Sequence, residues 1–198
     1  MRQCGKKPVP CRRFGLRVIK VCIAVSPGKG VRYYTFLRIP IDRKEDDVSQ
    51  IVTADSVLLS QHAGSREEAL TLISQKAAEL GIADDADALF NAFVARENMG
   101  ETGMTDGFAI PHAKSSAVKR AAVIVFKNTE PLDWPSFDEK PVVCAIALMV
   151  PDGEAGTEHI RLLSKTATLL MNEGFKGLVR NSQSAAEIAD AIQKGIQE

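Results

Sequence analysis

Two short apolar runs limit the folds open to this chain more than any other feature of its sequence. They are Ala121–Phe126 (AAVIVF) and Val142–Val150 (VVCAIALMV). Both are rich in β-branched residues and carry no charge, a pattern that predicts buried strands. Segments with helical spacing alternate with strands along the chain. We therefore predict an α/β fold in which helices cover a sheet.

The helices are predicted from capping signals and from the spacing of apolar residues. Ser65 and Glu68 form a capping box, in which the serine side chain accepts from the first amides and the glutamate reaches back. Ser184 and Glu187 form another such box. The predicted helices run from Ser65 to Gly81, from about Asp85 to Asn98, from Thr157 to near Gly174, and from Ser184 onward.

The distribution of charge divides the chain in two. Residues 1–44 hold 12 basic residues and one acidic residue, a net charge of +11. Residues 45–198 hold 13 basic and 24 acidic residues, a net charge of −11. We predict that residues 1–48 are a basic N-terminal extension, either poorly ordered or translated from upstream of the natural start, with a partner-binding arm as the alternative. Residues 49–198 are predicted to form one domain.

Several classes of protein are excluded or disfavoured by the sequence. No run approaches the roughly 18–20 apolar residues that a membrane-spanning helix needs. The acidic domain is a poor electrostatic host for nucleic acid. Phosphate loops of the GxxxxGK[ST] or GxGxxG type are absent, which argues against a nucleotide-dependent kinase. The four cysteines form no CxxC pair, and their pattern fits a reducing cytoplasm.

One histidine stands in a segment built to hold a side chain rigidly. Gly103 and Gly107 allow tight turns, residues 108–110 form a short apolar strand, and Pro111 fixes the backbone just before His112. A neutral imidazole whose tautomer is fixed at one ring nitrogen has a lone pair at the other, which suits a nucleophile that attacks phosphorus. A histidine simply packed at a strand end is the alternative reading.

Two further side chains are weaker candidates. His159 opens a predicted helix, where the positive end of the helix favours anions, so a neutral imidazole there could donate to a phosphoryl oxygen. Arg96 carries a guanidinium fork that matches phosphoryl oxygens. Either could equally be an ordinary helix residue, and His62 is predicted to be a solvated surface histidine. A zinc site of His112, His159 and Cys144 lacks metal-ligand spacing and stays a remote alternative.

Three motifs together give the chain a resemblance to a known family. They are GFAIPHA at 107–113, EHIRLLS at 158–164 and ARE at 95–97. Residues 54–197 resemble the enzyme IIA domain of the fructose/mannitol family of the bacterial phosphoenolpyruvate-dependent sugar phosphotransferase system. The first motif is similar to that family's phosphorylation-site segment, the second to the segment of its second active-site histidine, and the third to that of its active-site arginine.

The resemblance implies a mechanism and a set of residues. The phosphoryl group would come from the carrier protein HPr to the Nε2 (tele) nitrogen of His112 and pass to a cysteine of a IIB component, which serves a membrane IIC component. Arg96 would stabilise the phosphoryl group in flight and His159 would hydrogen-bond to it. Asp106 matches an acidic position near the active histidine. The implied fold is a mixed sheet flanked by helices, of the phosphotransferase/anion-transport-like type.

The same resemblance carries expectations about partners. Because phosphorus would pass directly between protein side chains, no cofactor and no metal is expected. Proteins that dock briefly call for a modest apolar rim around His112, to which Phe108 and Ile110 are candidate contributors beside Asp106 and Gly107, although both could also be core. The family has a sugar-uptake branch and a nitrogen-regulatory branch. The segments at 131–137 and 150–159 favour the sugar branch, with a regulatory phosphoprotein as the alternative.

Overall fold

A mixed β-sheet with helices on both faces makes up the part of the chain that the structure describes, residues 50–153 and 157–197 of a computed structural model. Its strands are β1 (Val57–Gln61), β2 (Phe108–Ala109), β3 (His112–Ser115), β4 (Ala122–Leu132) and β5 (Val142–Pro151). The helices within those residues are α1 (Arg66–Glu79), α2 (Ala86–Glu97), α3 (Thr157–Leu169), α4 (Glu173–Asn181) and α5 (Ala185–Gln197). The predicted fold class is confirmed. The predicted basic extension, residues 1–48, lies outside the described residues.

The sheet brings the candidate histidine to one of its edges. Strand β1 is parallel to β4, and β4 is antiparallel to β5. Both β2 and β3 run parallel to the far side of β5, where Phe108 lies opposite Cys144 and His112 lies opposite Leu148. The register is therefore unbroken from β2 to β3 although Pro111 separates them. The Pro111 carbonyl accepts from the Leu148 amide at 2.9 Å, so His112 sits on backbone that is hydrogen-bonded on both sides of the proline.

The two apolar runs are buried strands with a core on each face of the sheet, as predicted. Ile124 and Phe126 of β4 face one core, to which α1 and α2 contribute apolar side chains. Val123 and Val125 of the same strand face the other core, under α3, α4 and α5. This arrangement explains the lack of polar alternation in the run, since residues 122–126 of β4 are buried on both faces of the sheet.

The helix starts follow their capping residues. The Ser65 side chain accepts from the Glu68 amide at 3.1 Å, as predicted. The Glu68 carboxylate reaches back to the Gly64 amide at 2.8 Å, one residue earlier than a capping box requires. Asp85 caps α2 by accepting from the Ala88 amide at 2.9 Å.

One helix is absent from the predictions. The third predicted helix was expected to end near Gly174, but α3 ends at Leu169 and Gly174 lies in the first turn of α4. The signal for α4 is Asn172, whose side chain accepts from the Phe175 amide at 3.1 Å. A glycine in a first turn costs a helix little, whereas the prediction treated it as a stop. None of the helices in the described ranges is long and apolar enough to cross a membrane.

Candidate functional site

Hydrogen bonds at both ring nitrogens fix the tautomer of His112. The ring is largely buried, with 7% of the residue exposed. Its Nδ1 lies 2.9 Å from the Ile110 carbonyl oxygen, which can only accept, so Nδ1 carries the proton. Its Nε2 lies 2.8 Å from Nε of Arg96, which can only donate. The lone pair of the imidazole is therefore on Nε2, and this is the nitrogen available as a nucleophile.

Arg96 is held by the turn that follows its own helix. It lies in the last turn of α2, and its Nη1 donates to the Gly100 carbonyl at 2.9 Å. One guanidinium thus joins the turn after α2 to the imidazole at the start of β3. The structure brings Arg96 and His112, which are 16 residues apart in the sequence, into direct hydrogen-bond contact. An arginine beside an imidazole lone pair is well placed to neutralise an anionic group bound there.

The residues before β2 form a tight loop that is tied to α4. Asp106 and Gly107 both have positive φ, +62° and +79°. The Asp106 carboxylate pairs with Lys176 Nζ at 2.6 Å, and its carbonyl accepts from Arg180 at 2.6 Å. The hydrogen bond from Lys176 holds the pKa of Asp106 below its usual range, and that bond likewise raises the pKa of Lys176. The Asp106 amide also donates to the Asp138 carboxylate at 3.0 Å, so the described hydrogen bonds of Asp106 hold its loop in place and none goes to His112.

Two of the predicted partner-binding residues belong to the core instead. The exposed fractions of Phe108 and Ile110 are 0% and 3%, so their side chains do not form a rim around the histidine. The structure therefore supports the alternative that both are core residues, and the sequence could not decide this because an apolar residue in a short strand carries no sign of which way it points. Phe108 packs under Arg180, whose guanidinium carbon lies 5.2 Å from the ring centroid. Ile110 acts on the site through its backbone carbonyl, which orients His112.

His159 belongs to α3, but its side chain lies outside the described residues, so its predicted hydrogen bond to a phosphoryl group remains a prediction. His62 is exposed, with Nδ1 3.3 Å from the Thr129 hydroxyl. Across residues 50–153 and 157–197, no three His, Cys, Asp or Glu side chains are grouped so as to hold a metal ion. Cys144 is buried, and burial raises its pKa to about 12.

Sequence reasoning missed the supports of the site. Gly100 contributes a carbonyl, and no residue type signals that role. Lys176 is 4% exposed although lysine is usually on the surface. Met99, in the turn beside Arg96, is 83% exposed and is the kind of apolar side chain expected in a docking rim. The sequence indicated this turn only through the predicted end of the second helix at about Asn98.

The fold and the site together define a class of protein. A buried histidine with its lone pair on a fixed nitrogen, an arginine fork against that nitrogen and a rigid strand end suit nucleophilic capture of an anionic group. The family model described as "Phosphoenolpyruvate-dependent sugar phosphotransferase system, EIIA 2" matches residues 50–195. The chain belongs to this family, as the motifs predicted.

Two relatives that are named as sugar-specific components are similar to about three quarters of this chain. The chain is 31% identical over 158 residues to the 2-O-alpha-mannosyl-D-glycerate-specific EIIABC component of Escherichia coli, covering 76% of this chain and about a quarter (24%) of that relative. It is 28% identical over 151 residues to the fructose-specific EIIA component of Haloferax volcanii, covering 76% of this chain and 97% of that protein.

Solved structures give the same picture of the fold. The nitrogen regulatory protein IIA-Ntr of Neisseria meningitidis superposes with a TM-score of 0.66 at 27% identity, over 72% of this chain and 97% of that one. The IIA subunit in a complex of Escherichia coli enzyme IIA mannitol with phosphorylated enzyme IIB mannitol superposes with a TM-score of 0.61, over 72% and 97% of the two chains. At 16% identity this second likeness concerns the fold alone.

Proposed function

We propose that this chain is a phosphocarrier IIA component of a sugar phosphotransferase system. In this proposal, His112 accepts a phosphoryl group from phospho-HPr and passes it to a cysteine of a IIB component, which serves sugar uptake through a membrane IIC component. Membership of the EIIA 2 family supports the general activity. The identity of the carrier, of the acceptor and of the reacting histidine is part of our proposal.

The observation that carries the proposal is the fixed tautomer of His112. Its Nδ1 proton is held by the Ile110 carbonyl at 2.9 Å and its Nε2 accepts from Arg96 at 2.8 Å. A nucleophile for phosphorus needs an unprotonated nitrogen whose direction is fixed, and Nε2 meets both needs. Phosphorylation at Nε2 agrees with the tele position that the resemblance implies.

The proposed transfer balances without a cofactor. The Nε2 lone pair of His112 forms a bond to phosphorus while the bond from phosphorus to the donor imidazole of HPr breaks, which returns a lone pair to the donor. In the second step a IIB cysteine thiolate forms the S–P bond and the Nε2–P bond breaks. Throughout, catalysis consists of positioning and of charge neutralisation by Arg96, with His159 as the second proposed donor to the phosphoryl oxygens.

Phosphotransfer in a reconstituted system tests this function. The protein is mixed with phosphoenolpyruvate, enzyme I and HPr, and the phosphorylated product is identified by mass and by its acid lability. We expect an acid-labile phosphoryl group on the wild type and none on His112→Ala. His62→Ala is the matched control, because His62 is an exposed histidine away from β3, and it should label like the wild type. Labelling of His112→Ala would overturn the assignment of the nucleophile.

A regulatory role is the second candidate. The superposition on IIA-Ntr of Neisseria meningitidis supports it. In that case the phosphorylation state of His112 would control binding to other proteins rather than the transfer to IIB. Incubation of the phosphorylated protein with candidate IIB components separates the two roles, because an uptake component loses its phosphoryl group to a IIB cysteine. Retention of the group, together with phosphorylation-dependent capture of a regulator, favours the regulatory role.

The family domain, in our proposal, begins near residue 49 and works in the cytoplasm. Deletion of residues 1–48 is then expected to leave the phosphorylation of His112 by phospho-HPr unchanged in rate and extent. A large loss of labelling or of folding on this deletion would show that the extension contributes to the domain.

A further inference from the structure

Glu97, a buried glutamate next to Arg96, is linked by hydrogen bonds to the segments that hold Arg96 and His112 in place. Glu97 is the last residue of α2, and only 7% of it is exposed. Its Oε1 accepts a short hydrogen bond from the Thr102 hydroxyl. Its Oε2 has no hydrogen-bond partner of normal geometry among the described residues, although the indole of Trp134, whose Nε1 is also unpaired, is close enough to act against the rise in the pKa of Glu97. A buried carboxyl group with a half-filled set of partners is costly, so its presence at this place calls for a reason.

Glu97 first affects the turn that holds the Arg96 side chain. The hydrogen bond from the Thr102 hydroxyl to the Glu97 carboxylate closes the turn of residues 98–101. That turn contains Gly100, whose carbonyl accepts from Arg96 Nη1 at 2.9 Å, while the Gly100 amide donates to the Glu97 carbonyl at 3.2 Å. The position of the Gly100 oxygen, and with it that of the guanidinium, therefore depends on the closed turn.

Glu97 is also linked to the backbone carbonyl that holds the His112 ring. The Thr102 carbonyl accepts from the Ile110 amide at 2.9 Å. The carbonyl of the same Ile110 accepts from His112 Nδ1 at 2.9 Å. A continuous path of hydrogen bonds thus leads from the Glu97 carboxyl group through Thr102 and Ile110 to the imidazole.

We propose that Glu97 is a positioning residue for phosphoryl transfer, acting through Thr102 to hold both Arg96 and the His112 tautomer in place. This inference rests on the proposed function. It predicts a role for the acidic residue that follows the arginine, distinct from a general contribution to the stability of the fold.

The experiment compares three single variants and one double variant in the phospho-HPr assay. Glu97→Ala removes the acceptor, and Thr102→Val removes the donor while keeping the shape of the side chain. Since small misplacements of reacting groups are costly, each should lower the transfer rate about 10- to 100-fold. The double variant should be no slower than the slower single one, because both changes break the same connection. Glu97→Gln keeps an oxygen that can accept from Thr102, so it should stay within about threefold of the wild type.

A second readout reports the positioning directly. The ¹⁵N shifts of the His112 ring should show protonated Nδ1 and unprotonated Nε2 in the wild type and in Glu97→Gln, but a mixture of tautomers in Glu97→Ala and Thr102→Val. Ile192→Val, a cavity change in the remote helix α5, is the stability control and should leave both readouts unchanged.

Three results would overturn the inference. One is wild-type rates and ring shifts in both Glu97→Ala and Thr102→Val. Another is a loss of rate in Ile192→Val equal to theirs at equal loss of stability. The third is additive loss in the double variant. If the wild type takes up no phosphoryl group, the proposed function fails, and the ring shifts of the unphosphorylated variants still decide whether Glu97 positions His112.

Discussion

Replacement of Arg96 by lysine tests how the guanidinium works. In the structure, the arginine uses Nε to reach His112 Nε2 at 2.8 Å and Nη1 to reach the Gly100 carbonyl at 2.9 Å. A lysine ammonium at the same place keeps the positive charge but is a single point on a flexible chain. It cannot serve both acceptors with the fixed geometry of a planar fork. The variant therefore separates the effect of charge from the effect of geometry.

The expected loss follows from the bonds involved. A hydrogen bond to a charged group contributes about 1.5–3 kcal/mol. If one such bond to the transferring phosphoryl group is lost, the rate falls about 10- to 100-fold, at about 1.36 kcal/mol per factor of ten. Arg96→Ala loses the charge as well, and removal of a preorganised donor of this kind costs about 100- to 1,000-fold. Lysine should therefore fall between arginine and alanine.

The assay is single-turnover transfer from phospho-HPr, stopped by rapid quench. The affinity for HPr should change little, because the loss is in the transition state rather than in docking. Arg120→Lys is the matched control, since Arg120 is an exposed arginine outside the site. A wild-type rate in Arg96→Lys would refute our reasoning. Equal rates in the lysine and alanine variants, caused by a loss of folding in both, would refute it as well, because Arg96 would then act on stability and not on transfer.

Three further predictions concern stability and reactivity. Gly103→Ala should cost about 3 kcal/mol or more, because the new Cβ would lie 2.2 Å from the Pro135 carbonyl oxygen in the connection between β4 and β5. Gly195→Ala should change stability by only about 1 kcal/mol, because its 2.3 Å neighbour is the end of a flexible leucine side chain and helix propensity improves; equal urea midpoints for the two variants would contradict this. Burial raises the pKa of the Glu97 carboxyl group in the folded protein. The contribution of this group to the stability of the fold is therefore present below the pKa that it has in the unfolded chain, and it is lost as the pH rises through its pKa in the folded state. The free energy of unfolding of Glu97→Gln, measured relative to that of the wild type, should therefore increase from pH 4 to pH 8. A difference between the two proteins that stays constant in urea titrations across these pH values would refute the prediction. The Cys144 thiol, with its pKa raised to about 12 by burial, should resist iodoacetamide at pH 8 until the protein unfolds, as read by mass from its own peptide; rapid native labelling would contradict the burial.

The sequence was sufficient for features that depend on local chemistry. The run at 142–150 predicted a buried strand because nine successive residues without charge cannot face water. Ser65 and Asp85 marked helix starts because capping is a contact between near neighbours. The pairing of Arg96 with His112 came from a resemblance, since a separation of 16 residues in different elements has no local signal.

Other features depend on the whole fold and could not be predicted. Lys176 is buried because the loop at 104–107 places the Asp106 carboxylate against α4, and nothing near residue 176 indicates this. The role of Gly100 is carried by a backbone carbonyl, which every residue has. Phe108 and Ile110 are apolar, and an apolar residue suits a core as well as a docking rim. Only the packing against β5 decides between these possibilities.

The position of Arg96 in the resting structure has a consequence for the proposed transfer. The Nε2 lone pair accepts a hydrogen bond from Arg96 Nε, and a lone pair cannot accept that bond and attack phosphorus at once. The guanidinium must therefore leave the ring as the donor arrives, and it gains the phosphoryl oxygens as new acceptors in the same movement. Its bond to the Gly100 carbonyl does not involve the ring, so it can persist as a pivot while the fork turns. Since the hydrogen bond between Glu97 and Thr102 closes the turn that presents this carbonyl, the accuracy of the movement depends on a residue that never touches phosphorus.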